Sequence, residues 1–342
     1  MLLYHNFSFI EYFNYGWLGV DLFFVLSGFL ITDILLNSLN SKNYFRNFYA
    51  RRVLRIFPLY YFSLLLFLFL IPAINPNLLD MHYYQQHQVW FWTYLQNWPL
   101  IFRDDANANA LNHYWSLAIE EQYYLVWPIV VLFLKKPVRI IIFCIIMLAI
   151  VIAARIYIWK NAEYFPSYER AFLFTRLDGV LIGSMLAVLC YINSNLLRKY
   201  FTTFLLVLTA ANYIFYLFKK NQNPDFPSWA IAGFTTFSLV FAMVIYEAVM
   251  KENKFINYIL TNTVLKFLGK YSYGLYIFHW PVTLMMTQYF NKITSLLFTK
   301  GSLIQQIGTG LMCTIAAIIV SIISYYAFEI HFLKLKKYFF KN

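Results

Sequence analysis

The stretch GWLGVDLFFVLSGFLIT, residues 16 to 32, decides the fold of this chain. It is almost entirely apolar, and about 20 such residues are enough for a helix to cross the hydrocarbon core of a bilayer. Gly19, Ser27 and Gly28 are small and permit close contact with a neighbouring helix, as small residues commonly do in membranes. Asp21 is either a buried structural acceptor or a catalytic group. The stretch therefore predicts a tightly packed membrane helix with a buried carboxylate.

The composition of the whole chain agrees with a membrane protein. Hydrophobic residues make up 61% of the 342 residues and charged residues 12%, whereas soluble chains are about half apolar and a quarter charged. Abundant aromatic residues exclude intrinsic disorder. The net charge of +12 does not indicate a nucleic-acid partner, because membrane proteins concentrate Lys and Arg in cytoplasmic loops. Cys144, Cys190 and Cys313 lie far apart without metal-ligand spacing, so no metal site is expected.

Long apolar stretches recur along the chain and predict an all-α, polytopic membrane helix bundle. We expect nine full spans, at residues 17–36, 57–74, 114–134, 138–158, 172–193, 200–218, 229–250, 271–291 and 307–330. An aromatic stretch at 89–102 is too short to cross and suits an interfacial or re-entrant segment. Residues 1–5 have the character of the last turn of a truncated first helix. The chain is expected to form a single integral-membrane domain over residues 1–342, with no appended soluble domain.

The distribution of basic residues predicts the orientation of the bundle. When residues 37–56 are taken as cytoplasmic and the sides alternate from there, 18 Lys and Arg fall in inside segments and seven in outside segments. The C-terminus is therefore expected in the cytoplasm, and the long segment 75–113 outside.

Ionisable residues inside the predicted spans are few, and such residues are costly and usually functional. Asp21 and Glu120 are predicted near the outer ends of their helices, Asp178 follows Arg176 by two residues, and His279 lies near the middle of its span. This convergence favours an enzyme or a transporter over a structural protein.

Two arginines follow the first span. Arg52 and Arg55 are three residues apart and share one face of a helix. Guanidinium groups bind phosphate oxygens in bidentate fashion, so the pair fits a phosphate-rich ligand. The alternative is an orientation signal that contacts lipid headgroups.

Two further blocks carry polar groups. In NHYWSLAIEEQYYLVWP, residues 112–128, Glu120 and Glu121 point about 100° apart on a helix, and Glu120 is the inward candidate because Trp115, Ser116 and Tyr123 lie near its face. In GKYSYGLYIFHWP, residues 269–281, Tyr276 lies three residues before His279. A lone histidine is more often a satisfied core residue than a catalyst, but within a membrane it needs a partner.

These blocks, in this order, resemble the acyltransferase family 3 membrane proteins, bacterial multipass enzymes that O-acylate surface glycans. The resemblance extends from His5 to the closing YYAFEIHFLKLKKYF. It implies that His5 is catalytic and that Arg52 and Arg55 belong to the acyl-donor site. The family's Trp-Ser-Leu-x-x-Glu block matches Trp115, Ser116, Leu117 and Glu120.

The resemblance implies an O-acyltransferase that uses acyl-coenzyme A, most simply acetyl-coenzyme A, as donor substrate, with no permanently bound cofactor. His5 would deprotonate a carbohydrate hydroxyl, and Glu120 or Asp21 would orient its imidazole. A covalent acyl-His or acyl-Ser27 intermediate stays open, but direct transfer is preferred because no serine lies beside His5 at a spacing that predicts a nucleophile and its base. Supporting roles are expected for Ser27, Trp115, Ser116, Arg176, Asp178, Tyr276 and His279.

Two other functions remain open. A transporter or flippase could use the same polar groups as a path, although the inverted repeats typical of transporters are not detected in the sequence. A non-catalytic subunit of polysaccharide assembly is the second alternative. For the acyltransferase, the expected partners are membrane lipid, acyl-coenzyme A and a carbohydrate acceptor, and the expected location is the bacterial cytoplasmic membrane.

Overall fold

The computed structural model describes residues 1–99, 110–161, 172–195, 197–221, 233–251 and 254–339. These described residues form helices and turns and no β-strand. In chain order the helices are α1 (Leu2–Asn6), α2 (Gly19–Asn37), α3 (Tyr44–Leu65), α4 (His82–Gln86), α5 (Gln88–Trp92), α6 (Trp115–Leu134), α7 (Pro137–Asn161), α8 (Leu173–Arg176), α9 (Asp178–Ile192), α10 (Phe201–Asn221), α11 (Phe234–Met250), α12 (Lys254–Leu260), α13 (Thr263–Lys270), α14 (Ser272–Leu297), α15 (Leu303–Ser324) and α16 (Ile330–Leu335). The all-helical prediction is confirmed.

The expected count of nine spans is not confirmed. Within the described ranges, five helical segments are long and apolar enough to cross a membrane, or six if the pair α11 and α12, bent by 94°, forms one span. The five segments are Glu11–Asn37, Tyr44–Ile74, Asn112–Leu134, Pro137–Asn161 and Leu303–Phe339. Helix α9 has only 15 residues, and part of the stretch expected at 229–250 lies outside what the structure describes.

The second span begins 13 residues before the expected boundary of residue 57, at Tyr44. Arg52 and Arg55 therefore belong to helix α3 itself and not to a loop. The tyrosines at the start of α3 hold it against α6, since the Tyr44 hydroxyl donates to Pro128 O at 3.0 Å and the Tyr49 hydroxyl to Leu125 O at 2.8 Å. The two arginines lie about 12 and 17 Å along the helix from its start.

Helices α2 and α9 pack closely against each other. A Cβ added at Gly28 of α2 would overlap the carbonyl oxygen of Val180, and one at Gly183 of α9 would overlap that of Val25. Small residues allow this approach of two backbones. Gly28 therefore lies at a close helix contact, as the sequence predicts, and the contact fixes the direction in which Asp21 and Ser27 point.

The aromatic segment around residue 90 packs against α3. The Tyr60 hydroxyl donates to Phe91 O at 2.7 Å, and the Tyr61 hydroxyl donates to Trp92 O at 3.2 Å. After α5 the chain turns at Tyr94, whose ring stacks on Tyr60 with centroids 4.1 Å apart. The described part of this segment, up to residue 99, forms short helices and turns that cover one side of α3; residues 100–102 of the predicted stretch lie outside the described residues.

Candidate active site

A stripe of buried polar side chains runs along one face of α6 and its preceding turn. His113, Ser116, Glu120 and Tyr124 follow one another at spacings of three, four and four residues, which places them on the same face of a helix. Each is less than 5% exposed. The stripe covers about 16 Å of helix axis. Because α2, α3 and α14 contribute partners to it, the stripe is the axis of the candidate site.

At one end of the stripe, three histidines from three different segments meet. The ring of His5, on α1, lies 5.2 Å from the ring of His279 and 4.1 Å from that of Trp280, both on α14. The His113 ring lies 5.0 Å from the His279 ring. His279 is 1% exposed and His113 4% exposed. We call His5, His113 and His279 the histidine cluster.

Helix α1 is held in place by the residue that follows His5. The Asn6 amide donates to the Thr314 hydroxyl of α15 at 2.9 Å, and its Oδ1 accepts from the Thr283 hydroxyl of α14 at 2.8 Å. One amide therefore ties α1 to two helices at once. These hydrogen bonds fix the position from which the adjacent His5 reaches His279.

The middle of the stripe joins α6 to α2 and α14. The Ser27 hydroxyl donates to Glu120 Oε1 at 2.5 Å, and the Tyr124 hydroxyl donates to the same carboxylate oxygen. Ser116 is hydrogen-bonded to the Tyr276 hydroxyl, which also donates to His113 O at 2.8 Å. Glu120 lies within electrostatic range of Tyr276. Polar groups thus continue from the histidine cluster to the centre of the bundle.

The opposite end of the stripe is basic. The Arg52 guanidinium lies over the Tyr124 ring, 5.4 Å from its centroid, and is half-buried. Arg55 is exposed. Lys336, from the last turn of the described chain, lies within electrostatic range of both arginines. This end offers concentrated positive charge with one guanidinium open to solvent, which is the arrangement that binds phosphate groups. We call Arg52, Arg55 and Lys336 the basic cluster.

A second polar network lies beside the stripe. Arg176 donates to Asp21 Oδ1 at 2.6 Å, and Arg155 donates to Asp178 Oδ2 at 2.8 Å, with all four side chains at most 2% exposed. The Arg176 guanidinium also lies 4.0 Å from the centroid of the Phe234 ring. Buried ion pairs of this kind are geometrically demanding and costly to break. The network ties α2 to α7, α8 and α9.

The predicted site residues therefore divide into four groups. His5 and His279 meet at one end with Tyr276 close by, while Ser27, Ser116 and Glu120 lie along the stripe. Arg52 and Arg55 form the other end. Asp21, Trp115, Arg176 and Asp178 belong to or border the neighbouring ion-pair network.

The expectation that Glu120 or Asp21 orients His5 has no support in the geometry. Glu120 accepts from Ser27 and Tyr124, and Asp21 accepts from Arg176. Both carboxylates are used in contacts between helices. Tyr124, and not Tyr123, is the aromatic partner of Glu120. The Tyr123 hydroxyl is instead hydrogen-bonded to the Ser184 hydroxyl of α9 at 2.8 Å.

Sequence reasoning missed His113, Tyr124 and Asn6. For His113 a signal exists, since it precedes Ser116 by three residues and so shares the face of Ser116 and Glu120. Asn6 carries no such signal, because its partners Thr283 and Thr314 are distant in the sequence. Within the described ranges, no group of three or more His, Cys, Asp or Glu is arranged to hold a metal ion.

The family profile and the relatives that match this chain all carry the names of acyltransferases. A family profile described as an acyltransferase domain matches residues 2–326 of the chain. The chain is 29% identical over 294 residues to the putative peptidoglycan O-acetyltransferase YrhL of Bacillus subtilis, covering 80% of this chain and 45% of that protein. It is 28% identical over 306 residues to the peptidoglycan O-acetyltransferase OatA of Listeria monocytogenes, covering 84% of this chain and 48% of that protein.

The O-acetyltransferase OatA of Staphylococcus aureus is 29% identical over 294 residues, covering 80% of this chain and 47% of that protein. The chain thus spans about half the length of these curated relatives. No solved structure is significantly similar to it.

Proposed function

Since the chain belongs to this acyltransferase family, we propose that it is a membrane O-acyltransferase that moves an acyl group from acyl-coenzyme A to a carbohydrate hydroxyl. Acetyl is the simplest acyl group, given that the relatives are named O-acetyltransferases. The observation that carries the proposal is the polar stripe of α6, with imidazoles at one end and guanidinium groups at the other.

The basic cluster is the proposed donor site. Coenzyme A carries several phosphates, and the exposed Arg55 and half-buried Arg52 offer planar donors for them. The cytoplasmic bias of basic residues supports placing this end, and the C-terminus, at the cytoplasmic face. The donor is a substrate that enters and leaves, so no permanently bound cofactor is proposed.

The stripe between the two ends is the proposed path of the donor's thin pantetheine arm. The arm carries amide groups, and the hydroxyls of Ser116, Tyr124 and Tyr276 are positioned along the path to meet them. Its reactive thioester would then reach the histidine cluster while the phosphates stay at the basic cluster.

The proposed reaction is direct transfer. The acceptor hydroxyl oxygen attacks the thioester carbonyl carbon, the carbon–sulfur bond breaks, and an ester and free coenzyme A thiol are formed. His5 takes the hydroxyl proton, which finally leaves on the thiol sulfur, so the reaction consumes no net proton. An imidazole suits this step because its ordinary pKa is close to neutral pH.

The carboxylates receive positioning roles in this proposal. Glu120 holds Ser27 and Tyr124 at the middle of the path. Asp21 holds Arg176, which packs against Trp115 at the outer ends of the helices. Neither carboxylate is required to contact the reacting atoms.

The proposed acceptor is a glycan of the bacterial cell envelope, and the proposed location is the cytoplasmic membrane. Three relatives are named for O-acetylation, two of them of peptidoglycan, which makes un-cross-linked peptidoglycan strands the first acceptor to test.

The proposal is tested by transfer of labelled acetyl from acetyl-coenzyme A to peptidoglycan strands by the purified protein in lipid nanodiscs. Wild-type protein is compared with His5→Ala and Arg52→Ala, and with matched controls at the exposed His82 and Arg139. Transfer that requires His5 and Arg52 but neither control residue supports the proposal. Equal transfer by His5→Ala refutes the catalytic assignment, and no transfer by the wild type to any glycan tested refutes the proposed activity.

A further inference from the structure

We propose that His279 is a second catalytic imidazole, which shares with His5 the proton released by the acceptor hydroxyl. This inference rests on the proposed acyl transfer and assigns a role to a residue that the single-base mechanism leaves unused. It is carried by the hydrogen bonds of the His279 ring and by the position of that ring next to His5.

The hydrogen bonds of His279 fix the side of the ring that carries the proton. Its Nδ1 lies 3.1 Å from Leu275 O and 2.9 Å from Tyr276 O. A carbonyl oxygen can only accept, so Nδ1 is the protonated nitrogen and Nε2 of the neutral ring has the free lone pair. The ring is therefore held in the tautomer of a base by two backbone carbonyls, as a third group orients the base in other catalytic sites.

The unprotonated Nε2 of His279 belongs to a ring that lies next to the His5 ring. Nε2 of His279 is buried without a hydrogen-bond partner, and so is Nε2 of His5. The two rings lie 5.2 Å apart, centre to centre. A buried polar atom without a partner costs free energy. Two such atoms on adjacent rings indicate a place built to receive a polar hydrogen, which the acceptor hydroxyl supplies.

The surroundings of His279 come from three segments. His5 and the amino terminus face it from α1, the His113 ring faces it from the turn before α6, and Tyr276 lies one helical turn away on α14 itself. The ring of Trp280, the next residue, lies 4.1 Å from the His5 ring at a tilt of 31° and limits how far the His5 ring can turn. The geometry thus keeps His5 and His279 together.

The proton balance of the step is complete. The hydroxyl oxygen forms a bond to the thioester carbonyl carbon as its proton passes to the imidazole pair. The two carbonyl oxygens that accept from Nδ1 stabilise the positive charge while it resides on His279. When the carbon–sulfur bond breaks, the proton leaves the pair and binds the sulfur. Both imidazoles return to their neutral state.

A purely structural role is the alternative, because the Nδ1 hydrogen bonds alone could brace α14. The variant His279→Asn separates the two roles. The asparagine amide nitrogen occupies the place of Nδ1 and can still donate to Leu275 O and Tyr276 O, whereas nothing replaces Nε2. His279→Gln is the complement, because its amide reaches the place of Nε2 but cannot exchange a proton in that role.

The experiment measures kcat and KM of both variants in nanodiscs, with acetyl-coenzyme A and un-cross-linked peptidoglycan strands as substrates and His82→Asn as the control. We expect kcat of His279→Asn and His279→Gln to fall about 100-fold, with KM for acetyl-coenzyme A within about threefold of the wild type. Added imidazole is expected to restore part of the activity of His279→Ala. Elution as a single species in size-exclusion chromatography verifies that each variant is folded.

The result that overturns the inference is a His279→Asn enzyme with a wild-type kcat, because the backbone hydrogen bonds alone would then suffice. That result leaves acyl transfer by the wild type intact and so differs from failure of the proposed function, in which the wild type itself transfers nothing.

Discussion

The Ser27 hydroxyl donates a hydrogen bond of 2.5 Å to Glu120, and this contact joins α2 to α6 at the middle of the bundle. Both side chains are less than 7% exposed. The contact lies between the histidine cluster and the basic cluster, so it holds together the two ends that the proposed reaction must connect.

The first prediction concerns this contact. Glu120→Ala removes the acceptor of two buried hydroxyls, and an unsatisfied buried polar group costs about 1–3 kcal/mol. We expect a lower midpoint of thermal unfolding in nanodiscs and weak acetyl transfer. Glu120→Gln keeps an oxygen acceptor and is expected to lie between the wild type and Glu120→Ala in both measurements. Equal thermal stability of Glu120→Ala and wild type would argue against a positioning role.

The second prediction concerns the ion pair of Asp21 and Arg176. Removal of one partner leaves a buried charge, which costs about 3–5 kcal/mol. We expect Asp21→Asn and Arg176→Gln each to destabilise the protein strongly, and the double variant to be more stable than the sum of the two single effects predicts. A thermodynamic double-mutant cycle measures this coupling. Strictly additive effects would show that the pair is not energetically coupled.

The third prediction concerns donor binding. Arg52→Ala and Arg55→Ala are expected to raise KM for acetyl-coenzyme A about tenfold or more, since each removes a guanidinium proposed to form charge-assisted hydrogen bonds with the donor phosphates. The effect should weaken at high salt, because ionic strength screens the partly exposed cluster. Arg139→Ala, an exposed arginine outside the cluster, is the control. An unchanged KM in both variants would move the donor site elsewhere.

The fourth prediction concerns the position of His5. Asn6→Ala removes the hydrogen bonds to Thr283 and Thr314 that hold α1. A small displacement of a catalytic group can lower the rate about 100-fold, so we expect kcat to fall at least tenfold while KM for acetyl-coenzyme A changes little. Asn14→Ala, at an exposed position, is the matched control. If kcat of Asn6→Ala equals that of the control, α1 is held by other contacts.

Local patterns in the sequence predicted much of the site. Hydropathy predicts membrane helices because the apolar requirement applies to every turn of a span. Spacing predicts that Arg52 and Arg55 share a face of one helix and that Tyr276 lies near His279. In the structure the rings of Tyr276 and His279 are 5.8 Å apart. Predictions of this kind succeed because both residues of each pair lie on the same helix.

Contacts between helices that are distant in the sequence could not be predicted from the sequence. Asp21 and Arg176 are 155 residues apart, and no local rule pairs them. The same holds for the meeting of His5, His113 and His279. The expected count of nine spans is not confirmed, because a short apolar helix such as α9, which packs closely against α2, has the composition of a span without its length.

The most direct test of the central claim is a sidedness measurement. Sealed everted and right-side-out membrane vesicles that contain the protein receive labelled acetyl-coenzyme A in the external medium, and the label in glycan is counted after equal times. Because coenzyme A thioesters do not cross the bilayer, we expect transfer only in everted vesicles, where the basic cluster faces the donor, and its loss in Arg52→Ala and His5→Ala. Equal transfer in intact right-side-out vesicles would contradict a cytoplasmic donor site joined across the bundle to the histidine cluster.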